Sequence, residues 1–215
     1  MKSILIVGVG RFGQKMIEKL NELDYEVMAI DRDESRINEV LPLVTDAQIG
    51  DATNEAFLKT IGVSDYDVCF VTISADFQSS LVASSLLKDL GAKQVISRAA
   101  SDLHKKFLLR NGADDVFFPA KQAADWAVMR YAADHVLDYI MLDSEYAIYD
   151  LTVPEEWDGK TVGTLDIRRK YNLNILAIRN AGLSDMNVNS ETLLRVSETI
   201  LVLGKWKDVQ KCFRI

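Results

Sequence analysis

Gly8-Val9-Gly10-Arg11-Phe12-Gly13 follows directly on the apolar run Ile4-Leu5-Ile6-Val7, and this junction decides the fold. In a G-x-G-x-x-G turn between strand and helix, each glycine has its own reason. Gly8 permits the tight turn, Gly10 lacks the Cβ that would hold a pyrophosphate off the backbone, and Gly13 lets helix and strand approach closely. The helix that starts there offers free N–H groups and a partial positive charge to an anion. The next apolar run, Val27-Met28-Ala29-Ile30, ends in Asp31, where a carboxylate can accept both hydroxyls of an adenosine ribose. The pattern predicts a nucleotide- or dinucleotide-binding α/β domain.

Outward from the turn, short β-branched runs alternate with helical patterns. Strands are expected at Ser3–Val7, Glu26–Asp31, 47–49, Val68–Thr72, 95–97 and 116–118. The helix after the first strand buries Phe12, Met16, Ile17 and Leu20 on one face, and a later one ends at Gly112. Asp33 or Ser35 caps the helix that stops before Pro42. Strict β–α alternation with apolar strands means a parallel sheet covered on both faces, in Rossmann-like doubly wound order. The pattern then changes. Ala123, Trp126, Ala127, Arg130, Ala133 and Leu137 suggest one long helix over Lys121–Leu137. Strands at Tyr146–Val153, Asn174–Arg179 and Thr199–Leu203, with helices at Thr164–Lys170 and Lys205–Phe213, form a small α+β C-terminal module. Two domains are expected, 1–138 and 139–215.

With 48% hydrophobic and 27% charged residues over 215 positions, the chain has the composition of a soluble globular protein. A net charge of −7 argues against nucleic acid as a partner. No apolar run approaches a membrane span, and Met1-Lys2-Ser3-Ile4 leads straight into a strand, so neither an anchor nor a cleavable signal is expected. Cys69 and Cys212 stand far apart in apolar settings and read as reduced packing residues in a cytoplasmic protein.

The candidate site residues gather at the ends of the strands. Arg11 is placed to reach the outer phosphates of a nucleotide, or is a solvent-facing arginine where a cation is mildly unfavourable. Arg32 follows Asp31, and an acid at that position favours a free ribose 2′-hydroxyl over a 2′-phosphate. In Gly50-Asp51-Ala52-Thr53, Asp51 accepts from an adenine amino group or caps the next helix, and the two roles are compatible. Ile73-Ser74-Ala75-Asp76 lies on the same sheet edge and is placed to line phosphates or a second ribose. Arg98 either adds positive charge to the cleft or is a surface arginine. His104 and His135 have no ligand-spaced partners, so no zinc site is assigned. No Ser-His-Asp order, nucleophile elbow or lysine-terminated P-loop occurs, and the cleft reads as non-catalytic. A small NAD(P)-dependent oxidoreductase is the rival reading. It needs a proton donor beside the nicotinamide, and no Tyr-Lys or His-Asp arrangement supplies one.

The strings Val7-Gly8-Val9-Gly10-Arg11-Phe12-Gly13, Ala29-Ile30-Asp31, Gly50-Asp51-Ala52-Thr53 and Asn111-Gly112-Ala113-Asp114, with Pro119, together resemble the regulators of K⁺ conductance, the RCK proteins. The run Ile167–Ile178 and the closing Ile200-Leu201-Val202-Leu203-Gly204 resemble their C-terminal module, and length and order are most similar to the cytosolic subunit of Trk/Ktr-type potassium uptake systems. The resemblance implies a regulatory subunit without a catalytic role. It would be cytoplasmic, associated with the inner face of the membrane through an integral potassium channel or transporter subunit. It implies dimers that assemble into an octameric ring, and a cleft for ATP or ADP and for NAD(H). By position, Gly8, Gly10, Arg11 and Gly13 would hold phosphates, Arg11 reaching the γ-phosphate, while Asp31 takes the ribose and Asp51 the adenine. The helix Lys121–Leu137 would be the crossover between subunits. Some relatives carry a glutamate after the proline for a divalent cation; here the residue is Ala120, and no metal ligand is assigned. Cyclic di-AMP at the C-terminal module is raised by Ile167-Arg168 and Ile175, although Val188 stands where a proline is expected.

Overall fold

The computed structural model describes residues 2–73 and 75–215, and the chain divides into two compact units, Met1–Ala120 and Lys121–Ile215. The first alternates strand and helix throughout. It runs β1 (Ser3–Val7), α1 (Arg11–Glu22), β2 (Glu26–Asp31), α2 (Glu34–Val40), β3 (Asp46–Ile49) and α3 (Glu55–Ile61), then β4 (Val68–Val71), α4 (Phe77–Asp89), β5 (Val95–Arg98), α5 (Asp102–Arg110) and β6 (Asp115–Phe117). All pairings are parallel and the strand order is β3-β2-β1-β4-β5-β6. The order reverses between β1 and β4, so the loops after these two strands part and leave a crevice at their carboxyl ends.

Side chains of successive strand residues point to opposite faces, so each strand feeds two cores. Leu5, Val7, Met28, Ile30, Cys69 and Val71 pack with Leu58, Ala83 and Leu87 on one face. Ile4, Ile6, Val27 and Ala29 pack with Ile17, Ile37 and Val40 on the other. Burial pushes the Cys69 thiol up to about 12, which leaves it a packing group.

The second unit takes in most of α6 (Pro119–Ala132) and continues with β7 (Val136–Met141), β8 (Tyr146–Thr152), α7 (Val162–Leu165), α8 (Ile167–Tyr171), β9 (Asn174–Asn180), β10 (Leu183–Asp185), β11 (Thr199–Lys205) and α9 (Trp206–Phe213). Its five strands form an antiparallel sheet in the order β10-β9-β11-β8-β7. The core joins Tyr149 and Leu151 of β8, Ile200 and Val202 of β11, and Val209, Cys212 and Phe213 of α9. Met129 of α6 and Ala133 just after it pack against this core.

Two expectations are corrected here. The helix expected to run to Leu137 ends at Ala132, and residues 136–141 are a strand. His135 takes a left-handed backbone (φ 67°), its ring bonds to the Thr152 hydroxyl at 2.8 Å, and Val136 pairs with Leu151. Sheet pairing there overrides the helical spacing of Ala133 and Leu137. The helix expected over Thr164–Lys170 is two short helices, broken where Asp166 turns left-handed (φ 50°). Among the described residues, no helix is long and apolar enough to cross a membrane.

Candidate functional site

A cleft of about 960 Å³ opens at the carboxyl ends of β1, β2, β4 and β5. Its floor is the glycine turn. The Gly8 N–H donates to the Ile30 carbonyl at 2.8 Å, and its φ of 100° together with the Ile73 side chain, 2.9 Å from where a Cβ would lie, excludes other residues. A Cβ on Gly13 would fall onto the Gly8 carbonyl oxygen, so the close approach this glycine permits is between the helix and its own turn. Gly10 differs, because a Cβ there would meet nothing within 4 Å and would point into open space. Gly8 and Gly10 both line the cleft, and of the two only Gly10 is not required by crowding.

Asp31 is 7% exposed and clamps the turn from β2. Its Oδ2 accepts the Val9 N–H at 2.6 Å and its Oδ1 the Asp33 N–H at 2.9 Å, while the Arg36 guanidinium lies 3.5 Å from Oδ2. On the opposite lip, the Thr72 hydroxyl donates to the Gly8 carbonyl. The turn is thus fixed from both neighbouring strands before any ligand arrives, the kind of preorganisation a binding loop requires.

The helix starts carry the electrostatics. Asp33, Asn54, Asp76 and Ser101 cap α2, α3, α4 and α5, each accepting a backbone N–H in the first turn. The N-cap of α1 is Gly10; it has no side-chain cap and no acid in its first turn. Its first N–H groups lack an intrahelical partner, and Arg11 and Phe12, which carry two of them, line the cleft. Arg11, exposed beside them, makes no hydrogen bond or ion pair with another described residue. Arg98 places its guanidinium 5.0 Å from the Phe12 ring centroid, and its buried Nε has no partner among the described residues. Phe12 in turn packs on Phe117 at 5.4 Å, so it supports Arg98 as well as lining the cleft.

On the remaining rim, the Asp51 carboxylate accepts the Thr53 N–H at 2.8 Å and its hydroxyl at 2.7 Å. These two bonds hold its carboxyl below the usual range, with Arg32 adding attraction. Asp51 therefore forms its own turn, and Asn54 caps α3 in place of Asp51 or Thr53. The Asp76 carboxyl is likewise lowered, chiefly by the Ser79 hydroxyl and N–H and also by Arg32. Ala52, Ile73, Ala75 and Arg32 line the cleft; Thr53 and Gly13 do not, and Ser74 lies outside the described residues.

Sequence reasoning missed Thr72, Arg36 and the Gln14–Glu39 hydrogen bond, 2.6 Å across α1 and α2, because no local motif marks a partner on another element. The i,i+3 pair Asp33–Arg36 was the available signal for Arg36. It also missed His104, buried at 1% exposure, whose Nδ1 accepts the Ala100 N–H at 3.2 Å and so steadies the loop behind Arg98. Burial lowers the pKa of that imidazole.

The TrkA-N domain model matches residues 4–119 and the TrkA-C domain model residues 147–215. The chain belongs to the TrkA-N domain family. The TrkA-N match takes in all six strands of the parallel sheet, and the TrkA-C match runs from β8 through α9, leaving out β7. Among TrkA-N relatives, Ktr system potassium uptake protein C of Bacillus subtilis is 31% identical over 98% of this chain and 95% of its own length. Ktr system potassium uptake protein A of the same organism is 30% identical with the same coverage. Of solved structures, the GsuK RCK domain matches with a TM-score of 0.67 at 18% identity, covering 97% of this chain and 46% of that one. The GsuK channel bound to NAD matches with a TM-score of 0.65 at 18% identity, covering 98% and 38%. The chain thus spans nearly all of these Ktr relatives and less than half of the GsuK chains, which share its RCK fold.

Proposed function

We propose that this TrkA-N protein is the cytosolic regulatory subunit of a potassium uptake channel or transporter, and that the cleft binds ATP, ADP or NAD(H) as a signal. The observation that carries the reading is the bare N-terminus of α1 beside an unpaired Arg11, where the starts of α2 to α5 are all capped. In this reading Gly8, Gly10, Gly13 and Arg11 hold phosphates, Asp31 takes the ribose and Asp51 the adenine, with Arg98 supplying a second cation. A triphosphate presents charge that Arg11 grips and a diphosphate does not. That difference shifts the equilibrium between two assembly shapes by the ~1–3 kcal/mol usual for allosteric coupling. The Ktr names of the relatives support a potassium-uptake context, and the GsuK structure bound to NAD supports a dinucleotide in this type of cleft.

The subunit acts in the cytoplasm at the inner face of the membrane, docked on an integral partner. It works as a dimer within an octameric ring, with 1–138, including α6, as the nucleotide-binding part and 139–215 as the C-terminal part. Among the described cleft-lining residues none is a histidine, cysteine or tyrosine, which favours signalling over oxidoreductase chemistry. Calorimetry with ATP and ADP tests the reading. Wild type discriminates between them, Arg11→Ala brings the ratio of dissociation constants near one, and Asp31→Ala weakens both by at least ~10-fold. An unchanged ratio in Arg11→Ala, or turnover of NADH with a carbonyl panel, refutes it.

A further inference from the structure

The antiparallel module has a concavity of its own, independent of the sheet-edge cleft. It is a hollow of about 260 Å³ bounded by Trp157 and Lys160 ahead of α7, Lys170 and Tyr171 of α8, and Arg214 after α9. Of the positions associated above with cyclic di-AMP, Ile167 lines it, whereas Arg168 and Ile175 do not.

Three features of this hollow point to a ligand. Lys160, Lys170 and Arg214 face one carboxylate, Glu156, so the lining carries a surplus of two positive charges in a chain whose net charge is −7. Lys160 and Arg214 form no ion pair with any described residue, and Lys170 spends one donor on the Leu165 carbonyl at 3.0 Å. Trp157 lines the hollow, and its indole N–H, which is reached by solvent, has no hydrogen-bond acceptor among the described residues and can donate to a ligand. Arg214 also holds a left-handed backbone at the end of α9 (φ 59°), where glycine is the favoured residue. A glycine there would relieve the backbone and remove the guanidinium from the rim.

We propose that this hollow binds a small soluble phosphomonoester. Its dianion matches the surplus of two charges, Arg214 supplies a planar fork and the lysines point charges, and the half-buried Tyr171 offers aromatic surface to the organic part. A monocarboxylate would leave one charge uncompensated, and the volume excludes a whole dinucleotide.

Phenyl phosphate is the probe. Full-length ¹⁵N-labelled protein is titrated while the three indole N–H resonances are followed, assigned through Trp126→Phe and Trp206→Phe. The expected result is a saturable shift of the Trp157 indole resonance with a dissociation constant of about 1 mM or tighter. Lys160→Met with Arg214→Met, both exposed positions, should weaken it at least ~10-fold while the melting temperature holds. Benzyl alcohol, of similar shape and uncharged, should not move it. The proposal fails if the resonance does not saturate by roughly 10 mM, if the double variant responds as wild type does, or if benzyl alcohol is as effective. It also fails if only phosphatidate vesicles, and not the soluble ester, elicit the shift, since the site would then read a lipid surface.

Discussion

Helix α1 and helices α2 to α5 flank the same sheet and begin differently. Asp33, Asn54, Asp76 and Ser101 satisfy the first N–H groups of their own helices, whereas α1 begins at Gly10 with no side chain to do so. Capping stabilises a protein by ~1 kcal/mol per helix, so the sequence forgoes a local gain at one start while taking it at four others. The difference teaches where stability and binding separate. Four starts are closed and belong to the fold; one is open and belongs to whatever anion the cleft receives. The turn before the open start is braced from both sides, by Asp31 from β2 and Thr72 from the end of β4.

The strongest way to break the contrast is to disturb that bracing. A methyl on Gly13 has no space, because its nearest neighbour is the backbone carbonyl of Gly8 and neither backbone can yield cheaply. Gly13→Ala should cost about 3 kcal/mol, read as a fall in melting temperature of about 10 °C. A melting temperature within about 2 °C of wild type would show that the turn is not rigidly held.

A mirrored pair of substitutions sharpens it. Gly10 has an extended backbone (φ −74°, ψ 179°) that serine adopts freely, and its Cβ would meet nothing. Gly10→Ser supplies the missing cap to α1, so the melting temperature should hold or rise slightly while ATP affinity falls at least ~10-fold, about 1.4 kcal/mol. Ser101→Ala removes a cap from α5, where the Ser101 hydroxyl accepts the His104 N–H at 3.1 Å. It should lose about 1 kcal/mol of stability and leave nucleotide affinity unchanged. Calorimetry and thermal melts on both variants give the two signs; equal affinity losses would remove the distinction between open and closed starts.

The legibility of the chain follows the same division. The six parallel strands were readable because buried strands are short continuous apolar runs, and the glycine turn because its spacing is local. Arg11, Asp31, Asp51 and Arg98 do line one cleft, since sheet topology alone brings strand ends together. The role of Asp31 in bracing Val9 was not readable, because it depends on a contact across two strands. In the C-terminal module β7 was hidden: Ala133 and Leu137 fit a helix, and only pairing with β8, anchored by His135 on Thr152, makes a strand of 136–141. The three-residue β10 is exposed throughout and carries no apolar alternation to announce it.

The smallest expected effect is in the pH dependence. In the folded state the Asp33 carboxyl is held below its ordinary range by the Ser35 hydroxyl and N–H, and the Asp76 carboxyl by those of Ser79. A lowered folded pKa means the unfolded chain takes up the proton first. The contribution is therefore complete above the ordinary carboxylate pKa of about 4 and is lost as pH falls through the lower folded values. His104 has its own window: burial lowers its pKa, so it opposes folding as pH drops below the ordinary imidazole value of about 6.5. Stability should therefore decline in two stages, a shallow one below about 6.5 and a second below about 4. Asp33→Asn with Asp76→Asn should make only the second stage shallower, since Asp51 and other lowered carboxyls remain, and His104→Gln should affect only the first. The start of α1 has no carboxylate cap to titrate, so Gly10→Ser should leave both stages unaltered, whereas Gly10→Asp should deepen the second. Urea melts between about pH 3 and 8 read all of these. If Gly10→Asp leaves the acid limb unchanged, the N–H groups of α1 are already satisfied and the contrast between its start and the others is lost.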